Sequence, residues 1–132
     1  MNTDFIKGII VPILTPIDGE ERIDEPRLRD QVDYVINGGV SGVLAFGSNG
    51  EFYMVEEDEM EAANGAAGVS VLQPMFLKPT YQELFLHFKA VAESVPGVPM
   101  LLYNNPGRVG YTLSADLVDE LAHKVDNIVG MK

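Results

Sequence analysis

The chain has 132 residues, of which 46% are hydrophobic and 22% charged, as in a globular domain of average size. Its 20 acidic and 9 basic residues give a net charge of -11, which argues against the basic clusters that bind nucleic acids or anionic membranes. Cysteine is absent, which excludes disulfides, a thiolate nucleophile and cysteine-ligated metals. With no signal peptide and no apolar run near the roughly 18 residues of a membrane span, we expect a soluble, cytoplasmic protein.

Apolar runs alternate with amphipathic stretches along the chain. A strand is predicted over 8–14 and is expected to be covered on both faces, because its residues are apolar throughout. A helix is predicted over 25–36, with Pro26 in its first turn and two glycines after its end. A second strand over 43–46 leads into a polar loop, and an acidic helix start follows at 56–61. The remaining predicted elements are a strand at 69–72, a helix over about 81–94, a strand at 98–103, a helix from an N-cap at Ser114 to about 125, and a strand at 127–132. This alternation predicts a parallel α/β sheet with right-handed crossovers.

In such sheets the functional residues gather at the carboxyl ends of the strands. The residues at those ends are Thr15 and Pro16, Gly47 to Glu51, Gln73, Met75, Phe76, Tyr103, Asn104, Asn105 and Lys132.

Each of the chemically capable residues has two possible roles. Lys132 ends an apolar run that cannot solvate an ammonium ion, so its amine either extends into water or is held in a pocket as a nucleophile. The loop 47–50 is either a tight turn or a small anion-binding cradle. Tyr103 is either a core aromatic or a proton shuttle, and Arg108 is either a solvated loop residue or a clamp for a carboxylate.

Other polar groups are assigned no chemistry. His87 and His123 fall within helical stretches. The acidic run 56–61 lacks the spacing of a calcium loop, so no metal site is predicted.

Five segments carry distinctive motifs in order: 13–16, 47–52 (with a GxxGE turn), 73–76 with 78–80, 102–110 (a YNxPxRxG loop) and 127–132, which ends in the strand-terminal lysine. Their order gives the chain a resemblance to the dihydrodipicolinate synthase and N-acetylneuraminate lyase family. The resemblance implies a Schiff-base, class I aldolase on a (β/α)8 TIM barrel, which condenses pyruvate with an aldehyde such as aspartate semialdehyde in lysine biosynthesis. No cofactor is implied beyond the covalent imine, and the intact protein is expected to form a homodimer or homotetramer.

The resemblance also implies a role for each matched residue. Lys132 matches the lysine that forms an imine with pyruvate, and Tyr103 matches the tyrosine that moves protons. Ser48 and Asn49 match the pair that binds the pyruvate carboxylate, and Arg108 matches the arginine that meets the carboxylate of the aldehyde. The set of predicted substrate-binding residues is completed by Thr15 and Gly47.

Two departures from the family pattern leave alternatives open. Phe76 stands where the synthases have a tyrosine whose hydroxyl completes a relay across a subunit interface, which weakens a strict synthase assignment. Another pyruvate aldolase of the family, N-acetylneuraminate lyase-like or a 2-keto-3-deoxy sugar acid aldolase, is the alternative. The chain is also expected to be one α/β domain over 1–132 that carries about five barrel strands. An internal gap is expected near 60–66 and a missing part after 132. By itself it is predicted to be inactive, or to be a non-catalytic α/β module.

Overall fold

The computed structural model describes Thr3, residues 6–50 and residues 66–132. The acidic helix start predicted at 56–61 and most of the gap predicted near 60–66 lie outside these residues. The chain divides into two compact units: Asp4–Gly65, called here the N-terminal unit, and Met1–Thr3 with Ala66–Lys132, called here the C-terminal unit. The prediction of one domain over 1–132 stays a prediction.

The N-terminal unit contains a pair of parallel strands and one long helix. Strand β1 (Ile10–Pro12) pairs with strand β2 (Gly42–Leu44), and helix α1 (Glu25–Asn37) connects them. Asp24 caps α1 by accepting a hydrogen bond from the Arg27 amide at 3.1 Å. The helix therefore begins and ends within one residue of its predicted bounds.

The first strand is shorter and more exposed than predicted. Its predicted span of 8–14 begins at Gly8, whose positive φ of 71° is incompatible with a strand. Ile10 and Leu14 are exposed, so the expectation that this strand is covered on both faces is wrong for the structure. The physical reason is that β1 pairs with β2 along one edge, and α1 has no fully buried residue with which to cover the pair.

The C-terminal unit is built around a parallel three-stranded sheet in the order β3-β4-β5. Strand β3 spans Val69–Leu72, β4 spans Met100–Tyr103 and β5 spans Ile128–Met131. The pairing of β4 with β5 is irregular: Met100 lies opposite Ile128, but the next residue, Leu101, lies opposite Gly130. One extra residue of β5 is thus inserted into the ladder.

Helix α2 (Tyr81–Ser94), the short helix α3 (Pro106–Val109) and helix α4 (Ala115–Lys124) complete this unit. Ser114 caps α4 as predicted, and Thr80 and Glu83 form a capping box at the start of α2. None of the helices in the described part of the chain has the length and apolar character needed to cross a bilayer.

The core of the C-terminal unit lies between the sheet and the two longer helices. Met100 and Leu102 of β4 are fully buried, whereas Leu101 and Tyr103 are half-buried. Because side chains alternate along a strand, β4 directs Met100 and Leu102 into the core with the helices, and Leu101 and Tyr103 towards the opposite face. The core is formed by Leu84, Phe88, Ala92, Met100, Leu102, Tyr111, Leu113, Leu117, Leu121, Val125 and Ile128.

A buried asparagine closes the carboxyl end of α2. The Asn127 side-chain amide donates hydrogen bonds to the carbonyls of Ala92 at 2.8 Å, Val95 at 3.2 Å and Val98 at 3.1 Å. Carbonyls in the last turn of a helix have no partner within the helix. Asn127 therefore joins the end of α2 to the start of β5.

We expect Asn127→Ala to lower the free energy of unfolding by about 1–3 kcal/mol, because it removes the three hydrogen bonds that the side-chain amide donates to these carbonyls. The measurement is urea unfolding followed by circular dichroism. Asn37→Ala, an exposed asparagine at the end of α1, is the matched control and is expected to change the stability by no more than about 0.5 kcal/mol. Equal effects of the two substitutions would contradict the capping role of Asn127.

Candidate active site

The two residues predicted to carry the chemistry lie side by side in the C-terminal unit. Tyr103 is the last residue of β4, and Lys132 follows the last residue of β5. The backbone of Lys132 continues the ladder, since its amide donates to the Leu102 carbonyl at 2.8 Å and its carbonyl accepts from the Asn104 amide at 3.0 Å. The amide and the carbonyl of Lys132 are therefore both hydrogen-bonded to the end of β4 and the residue after it.

The Lys132 amine faces the aromatic ring of Tyr103. Its Nζ atom lies 4.5 Å from the ring centroid, within the range of a cation–π contact. The Lys132 side chain remains exposed, so the amine is accessible from solvent. An accessible amine and a phenol at neighbouring strand ends can attack a small carbonyl compound and exchange protons with it.

A buried glutamine anchors the loop that follows β4. Gln73, one residue beyond the end of β3, is 1% exposed. Its side chain accepts a hydrogen bond from the Asn105 amide at 3.0 Å and donates to the Tyr111 carbonyl at 2.6 Å. Both polar atoms of the carboxamide are thus used, and both ends of the loop 105–111 are attached to β3.

Two further contacts hold the same loop. The Asn104 side chain accepts from the Leu113 amide at 3.2 Å. The Tyr111 hydroxyl donates to the Pro74 carbonyl at 2.7 Å, and burial raises the pKa of this phenol, which keeps it a donor. The loop that carries Arg108 is therefore fixed at its base.

Arg108 lies in the short helix α3 and is exposed. The helix ends at Gly110, whose φ of 83° is left-handed and favours glycine. An exposed guanidinium on a fixed loop is able to bind a carboxylate from solution, and the predicted role of Arg108 in binding the aldehyde stays a prediction.

The glycine-rich turn lies in the N-terminal unit. The Thr15 hydroxyl donates to the Gly50 carbonyl at 2.6 Å, and the Gly50 amide donates to the Gly47 carbonyl at 3.0 Å. A Cβ atom at residue 50 would lie 3.0 Å from the Ile13 carbonyl oxygen and 3.1 Å from Thr15 Oγ1, so any other residue there would need these oxygens to move by a few tenths of an ångström.

The remaining residues of the turn have predicted roles in binding substrate. Ser48 and Asn49 lie in a single 3₁₀ turn, and the Asn49 side chain is exposed. Thr15 has a structural role, because its hydroxyl closes the turn. Substrate binding by Thr15, Gly47, Ser48 and Asn49 stays a prediction.

Phe76 is almost fully solvent-exposed, at 97%, and has a left-handed φ of 72°. A non-glycine residue in this conformation is uncommon. The phenyl ring has no hydroxyl, so Phe76 cannot contribute to a proton relay.

The contacts that Gln73 and Asn105 make around Tyr103 were not predicted from the sequence. Gln73 directly follows β3 and Asn105 lies two residues after β4, so a polar side chain just beyond an apolar run was the available signal. The two histidines make contacts within their own helices. The His87 ring packs edge-on against the Phe88 ring, with 5.2 Å between the ring centroids, and His123 Nδ1 lies 2.8 Å from the Asp119 carbonyl oxygen. Among the residues that the structure describes, no three potential metal ligands come together.

Parallel strands joined by helices, with polar side chains at the carboxyl ends of the strands, place the chain in the α/β class of folds. The model of the dihydrodipicolinate synthetase family matches residues 5–62 and 59–132, and the chain belongs to this family. It is 35% identical over 163 residues to the 4-hydroxy-tetrahydrodipicolinate synthase of Syntrophus aciditrophicus (strain SB), covering 97% of this chain and 55% of the relative. The corresponding synthase of Trichlorobacter lovleyi is 33% identical over 164 residues, with the same two shares.

Solved structures agree with the sequence comparison. Dihydrodipicolinate synthase from Aquifex aeolicus superimposes with a TM-score of 0.84 and 26% identity, over 96% of this chain and 55% of that chain. YagE, a prophage protein of the same family from E. coli K12 in complex with pyruvate, gives a TM-score of 0.87 and 29% identity, over 96% of this chain and 54% of that chain. The family and the fold class, a partial TIM barrel with five strands in the described residues, are thereby confirmed. The chain spans about half the length of these relatives.

Proposed function

We propose that the protein is a class I pyruvate aldolase in which Lys132 forms an imine with pyruvate. The observation that carries this proposal is the Lys132 amine, 4.5 Å from the Tyr103 ring at the carboxyl ends of two paired strands. Membership of the dihydrodipicolinate synthetase family supports it, as does the pyruvate complex of YagE.

The chemistry requires an amine and a group that moves protons. The neutral Lys132 amine attacks the keto carbon of pyruvate, the carbonyl π bond opens, and loss of water gives an imine. Removal of a proton from the adjacent methyl group then gives an enamine, whose carbon attacks the aldehyde. Hydrolysis of the product imine returns the free amine. In this proposal Tyr103 carries protons to and from the oxygen that leaves as water.

The second substrate is proposed to be an aldehyde with a carboxylate, which Arg108 would bind as a charged pair. Aspartate semialdehyde is the first candidate, because the curated relatives are named as 4-hydroxy-tetrahydrodipicolinate synthases. Phe76 favours the second candidate, another pyruvate aldolase of the family with a different aldehyde, because its ring has no hydroxyl. Cytoplasmic location and a homodimeric or homotetrameric assembly belong to the same proposal.

Borohydride trapping tests the imine. The full-length gene product is incubated with pyruvate and borohydride, and its intact mass and peptides are then measured. We expect one reduced pyruvate adduct, on Lys132. Lactate, which has no carbonyl, replaces pyruvate in the control. No adduct, or an adduct confined to another lysine, would contradict the proposal, and no adduct is what a non-catalytic α/β module predicts.

Steady-state rates with a panel of aldehydes, including aspartate semialdehyde, separate the two substrate candidates. The synthase assignment predicts the highest kcat/KM for aspartate semialdehyde. A higher value for a sugar-derived aldehyde would support the second candidate.

A further inference from the structure

We propose that Asn105 is a positioning residue for Tyr103, because its side-chain amide donates a hydrogen bond to the tyrosine hydroxyl. The inference rests on the proposed function, in which Tyr103 moves protons. The family resemblance assigns no role to Asn105, which fills an unspecified position of the YNxPxRxG loop.

The contact joins two half-buried side chains two residues apart. Asn105 Nδ2 lies 3.0 Å from the Tyr103 hydroxyl oxygen, an ordinary hydrogen-bond distance. An amide N–H can only donate, so the hydroxyl oxygen accepts at this position. The hydroxyl proton of Tyr103 is therefore directed elsewhere.

The backbone of Asn105 is itself fixed. Its amide donates to Gln73 Oε1 at 3.0 Å, and Gln73 is held in turn by its bond to the Tyr111 carbonyl. The next residue is Pro106, which restricts the backbone of Asn105 to extended conformations, in keeping with its φ of -128°. The position of Asn105 is thus fixed by its hydrogen bond to Gln73, by the bond of Gln73 to the loop at Tyr111, and by the adjacent Pro106.

A donor to the phenol oxygen has two effects on a proton shuttle. It holds the tyrosine in one orientation, with its ring face against the Lys132 amine, and it stabilises the phenolate that forms when Tyr103 gives up its proton. The hydrogen bond to the Tyr103 hydroxyl comes from Asn105 of the same chain, whereas Phe76 has no hydroxyl that could supply one. Asn105 does not react itself and acts through Tyr103.

Two substitutions of Asn105 test this role in the full-length gene product. Asn105→Val removes the donor, and Asn105→Asp keeps the size of the side chain but can only accept. Both keep the backbone amide that binds Gln73. We expect kcat to fall about 10- to 100-fold, the size of a hydrogen bond to a charged group, while KM for pyruvate changes by less than about threefold.

The pH profile separates a positioning role from a purely structural one. Without the donor the phenolate is less stable, so the limb of the kcat profile that depends on Tyr103 should move to higher pH in Asn105→Val. It should move further in Asn105→Asp, because a neighbouring carboxylate opposes a second negative charge. Asn37→Asp, at an exposed asparagine far along the chain, is the control for adding a charge and should leave the profile unchanged.

The outcomes distinguish this inference from the proposed function. If wild-type protein forms the adduct on Lys132 but both variants keep the wild-type kcat and pH profile, the inference is wrong and the aldolase proposal stands. A fall in unfolding temperature with an unchanged profile would assign Asn105 a structural role only. Should Asn105→Val fail to fold, the isosteric Asn105→Asp decides alone. If wild-type protein forms no adduct, both proposals are wrong.

Discussion

Replacing Lys132 by alanine is expected to abolish the borohydride-trapped pyruvate adduct and to lower kcat by about 10³-fold or more. The nucleophile of a covalent mechanism has no substitute in its site, and losses of this order or larger follow from removing one. Lys132 follows the end of β5, with its main chain held by Leu102 and Asn104, so the truncation removes the amine and leaves the ladder intact. Intact mass after trapping and steady-state rates measure the two effects.

Two further variants make the result specific. Lys132→Arg keeps a positive charge that can stack on the Tyr103 ring but cannot form the imine, so it should be as inactive as Lys132→Ala. Lys124→Ala removes a lysine that pairs with Glu120 at 2.7 Å on the surface of α4. It should keep the adduct and change the stability by less than about 1 kcal/mol. Activity in Lys132→Arg would mean that charge, and not nucleophilic attack, is what Lys132 contributes.

The largest expected effect on stability comes from Phe88→Ala. Phe88 lies on α2 at 0% exposure, within the cluster of apolar side chains between the helices and the sheet. Truncation of a buried phenylalanine removes its transfer free energy and leaves a cavity, which together cost about 3–5 kcal/mol. Since domains are stable by about 5–15 kcal/mol, this is a large fraction of the total. Urea unfolding followed by circular dichroism measures the loss.

Leu86→Ala is the matched control on the same helix. Leu86 is 54% exposed, so its truncation should change the free energy of unfolding by less than about 1 kcal/mol. Similar losses in the two variants would mean that α2 packs on a different face from the one described.

The positions of the strands along the chain were predicted better than the residues at which they begin and end. The strand predicted over 98–103 begins at Met100 in the structure, since Pro99 has no amide to donate to a ladder. The strand predicted over 8–14 is reduced to Ile10–Pro12, because a glycine of positive φ precedes it and Pro12 has no amide to donate to the ladder. Apolar runs indicate which residues favour a strand, but backbone conformation and pairing partners determine where it ends.

The proximity of Tyr103 and Lys132 was predictable from the sequence, whereas the residues that support them were not. Tyr103 and Lys132 could be found because both stand at the ends of apolar runs and parallel strands end together. The bond from Asn105 to Gln73 joins residues 32 positions apart, and no local pattern indicates which amide a buried glutamine will accept. The tertiary fold alone brings them together.

The extra residue in β5 has a consequence for the chemistry. If the pairing of Met100 with Ile128 continued regularly, Met131 would lie opposite Tyr103, and the phenol would face a thioether. The inserted residue instead pairs Leu102 with Met131, which brings the next residue, the lysine, opposite the tyrosine. A local irregularity in the strand ladder thus determines which functional group the tyrosine meets, and a one-residue change of register would replace a nucleophilic amine by an inert sulfur.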